Sequence, residues 1–122
     1  MARPRNFDEA AVVALAGHAF ARLGFNATSI EDLLEATGLQ RGSLYKAFGS
    51  KRNLFENVLM RALVPGWRER RECLDLFIIA LMELAAVDQS IARICQAALT
   101  QSGADTAEIL GQRLLEHLDR RN

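Results

Sequence analysis

Apolar residues recur at helical spacing along the whole chain, and no stretch alternates as a strand would. The first run predicts a helix from about Asp8 to Leu23, with Val12, Leu15, Ala16, Ala19, Phe20 and Leu23 on its apolar face. Asp8 and Glu9 suit the positive end of that helix's dipole, and Gly24 ends it. Thr28-Ser29-Ile30-Glu31 then reads as a capping box, with the Thr28 hydroxyl accepting from an early amide and Glu31 reaching back. Ile30, Leu33 and Leu34 make the inward face of this second helix. Gly38 stops it, and Leu39 is the apolar residue of a tight turn. A short third helix follows, about Arg41 to Phe48, with Leu44 and Phe48 one turn apart and pointing inward together. Gln40 is a poor N-cap, so packing has to hold this helix. Ser50, after Gly49, caps a fourth helix carrying Leu54, Phe55, Val58, Leu59, Ala62 and Leu63, which Pro65-Gly66 ends.

Three more helices are expected behind it, about 67–87, 88–101 and 105–120. Asp88 is the N-cap candidate for the second of these, and Asp105 with Glu108 repeats the acidic capping pattern. Between Cys73 and Val87 the sequence is apolar nearly all round, broken by Asp75 and Glu83. Such a helix is covered on several sides, and part of that cover is expected from a second subunit. The pattern therefore predicts an all-α fold: a three-helix head over residues 1–50, then residues 51–122 as a linking helix and a C-terminal helical dimerisation and regulatory region. The basic residues 1–6 are expected to be mobile.

Composition narrows the class. Half of the 122 residues are hydrophobic and a quarter are charged, which is globular rather than disordered. The formal net charge is zero, whereas nucleic-acid binders usually carry a positive surplus. The charge is unevenly spread: residues 1–61 hold eight Lys/Arg against six Asp/Glu, and residues 62–122 hold seven against nine. Cys73 and Cys95 lie in apolar helical sequence and read as buried free thiols in a reducing compartment. Arginines 68, 70 and 71 precede Cys73, so a redox-sensing thiol is the sharper reading there. Two cysteines and two histidines, His18 and His117, show no metal-ligand spacing, and His18 is expected to be a partly buried, satisfied side chain. No nucleophile motif, carboxylate pair or phosphate loop is present, so no enzyme, cofactor or metal is expected. Without a membrane span or signal peptide, a soluble cytoplasmic protein is expected.

The second helix, its glycine turn and the third helix form a helix-turn-helix pattern. Such a unit needs a glycine to leave the first helix and an apolar residue to pin the crossing. Its second helix must keep large apolar groups off its outer face. Here that face holds Gln40, Arg41, Ser43, Tyr45 and Lys46, all able to donate to phosphate oxygens or base edges.

Residues 28–55, TSIEDLLEATGLQRGSLYKAFGSKRNLF, resemble the DNA-binding segment of TetR-family regulators. Ala19-Phe20 and Leu23-Gly24-Phe25 ahead of them match as well, so the resemblance covers roughly the first 63 residues. Its most specific part is Gly42-Ser43-Leu44-Tyr45 with Phe48 and Ser50-Lys51. The resemblance implies a helix-turn-helix repressor that binds double-stranded DNA as a homodimer. It implies phosphate contacts at Thr28, Tyr45 and Lys51, and base reading by Arg41, Ser43 and Lys46, with Gln40 able to join them. Ala47 and Gly49 depart from the family's usual aromatic and proline.

About 59 residues follow the fourth helix, fewer than the family's regulatory half usually has. A reduced or absent ligand pocket is therefore expected, and Trp67 and Phe77 are the candidates for lining any small apolar effector's site, against plain core packing. Two stripes are expected to make a four-helix dimer face: Ile91, Ile94, Cys95, Ala98 and Leu99, and Ile109, Leu110, Leu114, Leu115 and Leu118. Two-fold symmetry would put two third helices into successive major grooves of a near-palindromic operator. The alternative is a truncated, ligand-independent interaction module that pairs with another regulator and binds DNA weakly. Neutral charge and Ala47 favour it.

Overall fold

The computed structural model describes residues 7–119. The basic arm at residues 1–6, and Arg120 at the end of the last expected helix, lie outside the described residues. Among the described residues there are seven α-helices, one 3-10 turn and no strand: α1 (Glu9–Leu23), α2 (Ile30–Thr37), α3 (Arg41–Phe48), α4 (Lys51–Ala62), the turn Trp67–Glu69, α5 (Arg71–Glu83), α6 (Gln89–Thr100) and α7 (Thr106–Asp119). None of these helices is long and apolar enough to cross a membrane.

The chain divides into two compact units, residues 1–58 and 59–122. In the first, Asp8 caps α1 by accepting from the amides of Ala10 and Ala11. The buried positions of α1 are Val12, Val13, Ala16, Gly17, Ala19 and Phe20. Leu15 and Leu23, expected on that face, are instead partly exposed. Leu15 lies about 120° around the helix from the middle of the stripe that Val13, Gly17 and Phe20 complete, and Leu23 is the last residue of the helix. His18 is exposed rather than tucked in.

The core of this unit is aromatic. Phe20 meets Phe55 edge-on at 5.0 Å between ring centroids, and Phe25 meets Phe55 at 5.2 Å. Phe20 and Phe25 stack at 6.0 Å. Contacts of this kind add about 0.5–1.5 kcal/mol each beyond burial. Because Phe55 belongs to this cluster, the unit extends past position 50 into the first two turns of α4.

In the second unit α5 is central: the 3-10 turn, α6 and α7 all pack on it. A single helix over 67–87 was expected. Arg70 is instead extended (φ −113°, ψ 120°) and separates the turn from α5. The turn buries Trp67 against Phe77, ring centroids 4.7 Å apart. A helix continuing straight through Arg70 would not fold the chain back on itself this way. Residues 73–78 and Ala80 are all buried, as a helix apolar nearly all round requires. Asp75, which interrupts that run, faces Arg113 of α7 in a two-bonded ion pair, Nε to Oδ1 and Nη2 to Oδ2 at 2.8 Å each.

Candidate nucleic-acid interface

The helix-turn-helix lies wholly within the first unit. α2 starts one residue later than the sequence pattern suggests. Ser29, not Thr28, is the N-cap: its hydroxyl accepts from the amide of Asp32 at 3.0 Å, and the Asp32 carboxylate accepts from the amide of Ser29 at 2.9 Å. Two overlapping pairs, Thr28/Glu31 and Ser29/Asp32, fit the capping-box pattern. Burial decides between them: Thr28 is fully buried and its hydroxyl donates back to the Gly24 carbonyl. The two bonds from Ser29 also hold the Asp32 carboxyl below the usual aspartate range.

Gly38 ends α2 with φ +74°, a left-handed conformation that glycine adopts without a side-chain clash. The turn is tied by Thr37, whose hydroxyl donates to Leu33 O and accepts from the amide of Leu39. α3 then buries Leu44 and Phe48. Gln40 makes no side-chain cap, so packing through those two residues holds α3.

The outer face of α3 is polar and cationic. Gln40, Arg41, Ser43, Tyr45 and Lys46 are all exposed. Arg41 and Tyr45 lie one turn apart, as do Gly42 and Lys46, which sets the four along neighbouring rows of one surface. No acidic residue occurs between positions 38 and 50. Glu31 of α2 reaches this surface and pairs with the Arg41 guanidinium. That contact holds the Glu31 carboxyl below its ordinary range and raises Arg41 correspondingly. Sequence reasoning missed Glu31 here, having assigned it to the cap; that α2 and α3 cross was the available signal.

Two residues expected to touch phosphate are placed otherwise. Thr28 has no exposed surface, its hydroxyl is committed to Gly24, and its amide donates to Phe25 O at 3.3 Å. Lys51 is half-buried, and its ammonium donates to the carbonyls of Phe25 and Thr28 at 2.9 and 3.0 Å. It also lies 4.4 Å from the centroid of the Phe25 ring. Two of its three donors are therefore used inside the chain.

The dimer-face residues separate into two groups. On α6, Ile91, Cys95 and Ala98 are buried in their own unit, so they offer nothing to a partner. They recur at i, i+4 and i+7 on a helix that packs on α5, which absorbs that stripe. Ile94 is half-buried and Leu99 exposed. On α7, Ile109 and Leu110 are half-buried, whereas Leu114, Leu115 and Leu118 are exposed. Trp67 and Phe77, the candidate pocket residues, are buried against each other. Both cysteines are buried and free. Burial pushes the Cys73 thiol up, against the smaller opposing effect of Arg70, and pushes Cys95 up to about 11. Neither is an activated thiolate. Among the described residues no cluster of three or more His, Cys, Asp or Glu could hold a metal ion.

Residues 12–58 match the family described as bacterial regulatory proteins, tetR family. The HTH-type transcriptional repressor ComR of Escherichia coli (strain K12) is 44% identical over 59 residues, which are 48% of this chain and 28% of ComR. The uncharacterized HTH-type transcriptional regulator YezE of Bacillus subtilis (strain 168) is 44% identical over 55 residues, 45% of this chain and 28% of YezE. The repressor BdcR of Escherichia coli (strain K12) is 40% identical over 57 residues, 47% of this chain and 29% of BdcR. The chain thus spans less than a third of the length of each of these relatives. No solved structure matches it. Over residues 12–58, which are built as a helix-turn-helix, this chain is similar to bacterial regulatory proteins of the tetR family.

Proposed function

We propose that this chain is a homodimeric repressor that inserts α3 into the major groove of a near-palindromic operator in the cytoplasm. The observation that carries this reading is the outer face of α3. It exposes Arg41, Ser43, Tyr45 and Lys46 with no acidic residue of its own, while Leu44 and Phe48 fix the helix from behind. Arg41, Ser43 and Lys46, joined by Gln40, read base edges, and the Tyr45 hydroxyl takes a phosphate oxygen. The dimer face falls to the exposed stripe Leu114, Leu115 and Leu118 with Leu110 beside it, rather than to α6. Release by a small apolar effector belongs to the same reading, and the buried Trp67–Phe77 pair gives it no support.

The test is selection of duplexes from a random pool, followed by binding at several salt concentrations. Wild-type chain should select a two-fold symmetric site. Arg41→Ala should relax one position per half-site, at about 1–3 kcal/mol. Tyr45→Phe should weaken all duplexes alike. A chain that selects nothing at low salt refutes the reading. The competing reading, an interaction module pairing with another regulator, draws on the same exposed leucines of α7 and on the zero net charge. It predicts no binding at low salt without a partner.

A further inference from the structure

Arg41 is the first residue of α3, and its Nη2 donates to the Oε2 of Glu31 on α2. Both side chains remain open to solvent, 51% and 71% exposed. Arg41 therefore meets the outside paired with a carboxylate, not as a free cation.

A tethered guanidinium differs from a free one in two ways. Its plane is restrained, and part of its charge is offset at close range. A phosphate oxygen rewards charge at almost any approach. A guanine edge rewards two parallel N–H groups held in one plane. The guanidinium has five N–H donors, so the bond to Glu31 leaves enough for both guanine acceptors. Restraining the plane favours the base, and offsetting the charge disfavours the backbone. The tether is also weak, as exposed ion pairs are, so a base edge can adjust it on docking.

Resting on the reading of α3 as the groove-reading helix, we propose that Glu31 is a positioning residue that makes Arg41 a base reader, setting sequence preference at one base pair per half-site without touching DNA. The carboxylate acts through Arg41 alone.

The test compares Glu31→Gln, Arg41→Ala, the double variant and Glu35→Gln in the full chain. Glu35 is a second exposed acid on α2 and controls for the loss of one negative charge. The probes are the duplex selected by the wild-type chain, its single-position replacements, and a scrambled duplex of equal length. Both Gln variants should bind the scrambled duplex somewhat more tightly, since either removes a charge that repels phosphate. Only Glu31→Gln should relax discrimination, about 2- to 5-fold, at the one base pair that Arg41→Ala also relaxes. In the double variant, loss of Glu31 should add nothing at that pair. Equal relaxation by Glu35→Gln, or additive effects of Glu31→Gln and Arg41→Ala, would overturn the proposal.

A second arm needs no DNA. By NMR, the Glu31 carboxyl should titrate below its ordinary range in the wild-type chain and move up in Arg41→Ala. If it does not move, the tether is absent and the proposal falls. If it moves but no duplex is selected, the DNA-binding reading itself has failed and takes the proposal with it. If duplexes are selected but preference ignores Glu31, only the proposal fails.

Discussion

The ammonium of Lys51, at the start of α4, lies 2.9 Å from the carbonyl oxygen of Phe25 and 3.0 Å from that of Thr28. It joins two segments far apart in sequence, and it does so where the backbone turns from α1 into α2. The Phe25 carbonyl also accepts from the Thr28 amide at 3.3 Å, and the cation rests on the Phe25 ring. Hydrogen bonds to a charged group contribute about 1.5–3 kcal/mol, less where solvent reaches them. Lys51→Met, which keeps the aliphatic stem and loses the donors, should therefore cost about 1–2 kcal/mol. Thermal unfolding followed by circular dichroism measures this. An unshifted midpoint would mean that water serves the two carbonyls equally well.

This contact also marks where reading the sequence stops. The order of helices, the glycine turn at Gly38 and the inward pair Leu44 and Phe48 were all legible, because each depends on neighbours within one or two helical turns. The outward ridge on α3 followed from the same periodicity. The partners of Lys51, Glu31 and Asp75 did not, because they come from other elements and depend on how helices cross. The choice of Ser29 over Thr28 as cap was hidden for a related reason. Both satisfy the local pattern, and only the burial of Thr28 separates them. The buried stripe on α6 was read as a surface for a second subunit because periodicity gives a face without saying what covers it.

The cap yields its own prediction. Ser29→Ala removes the acceptor for the Asp32 amide and should cost about 1 kcal/mol. Thr28→Ala should also destabilise, through the lost bond to Gly24 and the vacated methyl volume, but by a different route: restoring a cap with Ser29→Asp would not rescue it. Denaturant unfolding of the single and double variants separates the two. Full recovery of stability by Ser29→Asp in the Thr28→Ala background, with no loss in Ser29→Ala alone, would return the cap to Thr28.

Acid should weaken the head through Asp32 and Glu31. Both carboxyls are held low, Asp32 first by the bond from the Ser29 amide and Glu31 first by the bond from Arg41. A folded-state pKa below the unfolded one means that the unfolded chain binds protons first. The stabilisation is thus complete above the unfolded carboxyl range, about pH 4–4.5, and is lost as pH falls through the lower folded values. Unfolding midpoints taken from pH 6 down to pH 2 should decline, and Asp32→Asn should flatten part of that decline. An unchanged pH profile in Asp32→Asn would remove the capping carboxylate from the account. Salt should blunt the Glu31 share more, since that pair is exposed.

The ion pair of Asp75 with Arg113 sets two opposed expectations against each other. Their side chains are only 9% and 3% exposed, and both Asp75 oxygens are engaged at 2.8 Å. Around them Glu116 lies 3.4 Å from Arg113 Nη1, and His117 Nε2 lies 3.6 Å from Asp75 Oδ1. Deleting one partner strands a charge with little water to solvate it, so Asp75→Ala should cost about 3–5 kcal/mol. Deleting Arg113 should cost a similar amount. Replacing both with apolar residues of like volume, Asp75→Leu with Arg113→Met, strands neither, and should return the second unit to within about 1 kcal/mol of wild type or above it. Chemical denaturation of the three variants decides the matter. If the apolar double variant is as unstable as Asp75→Ala, the pair's directional bonds, and not the desolvation of a lone charge, are what hold α5 to α7.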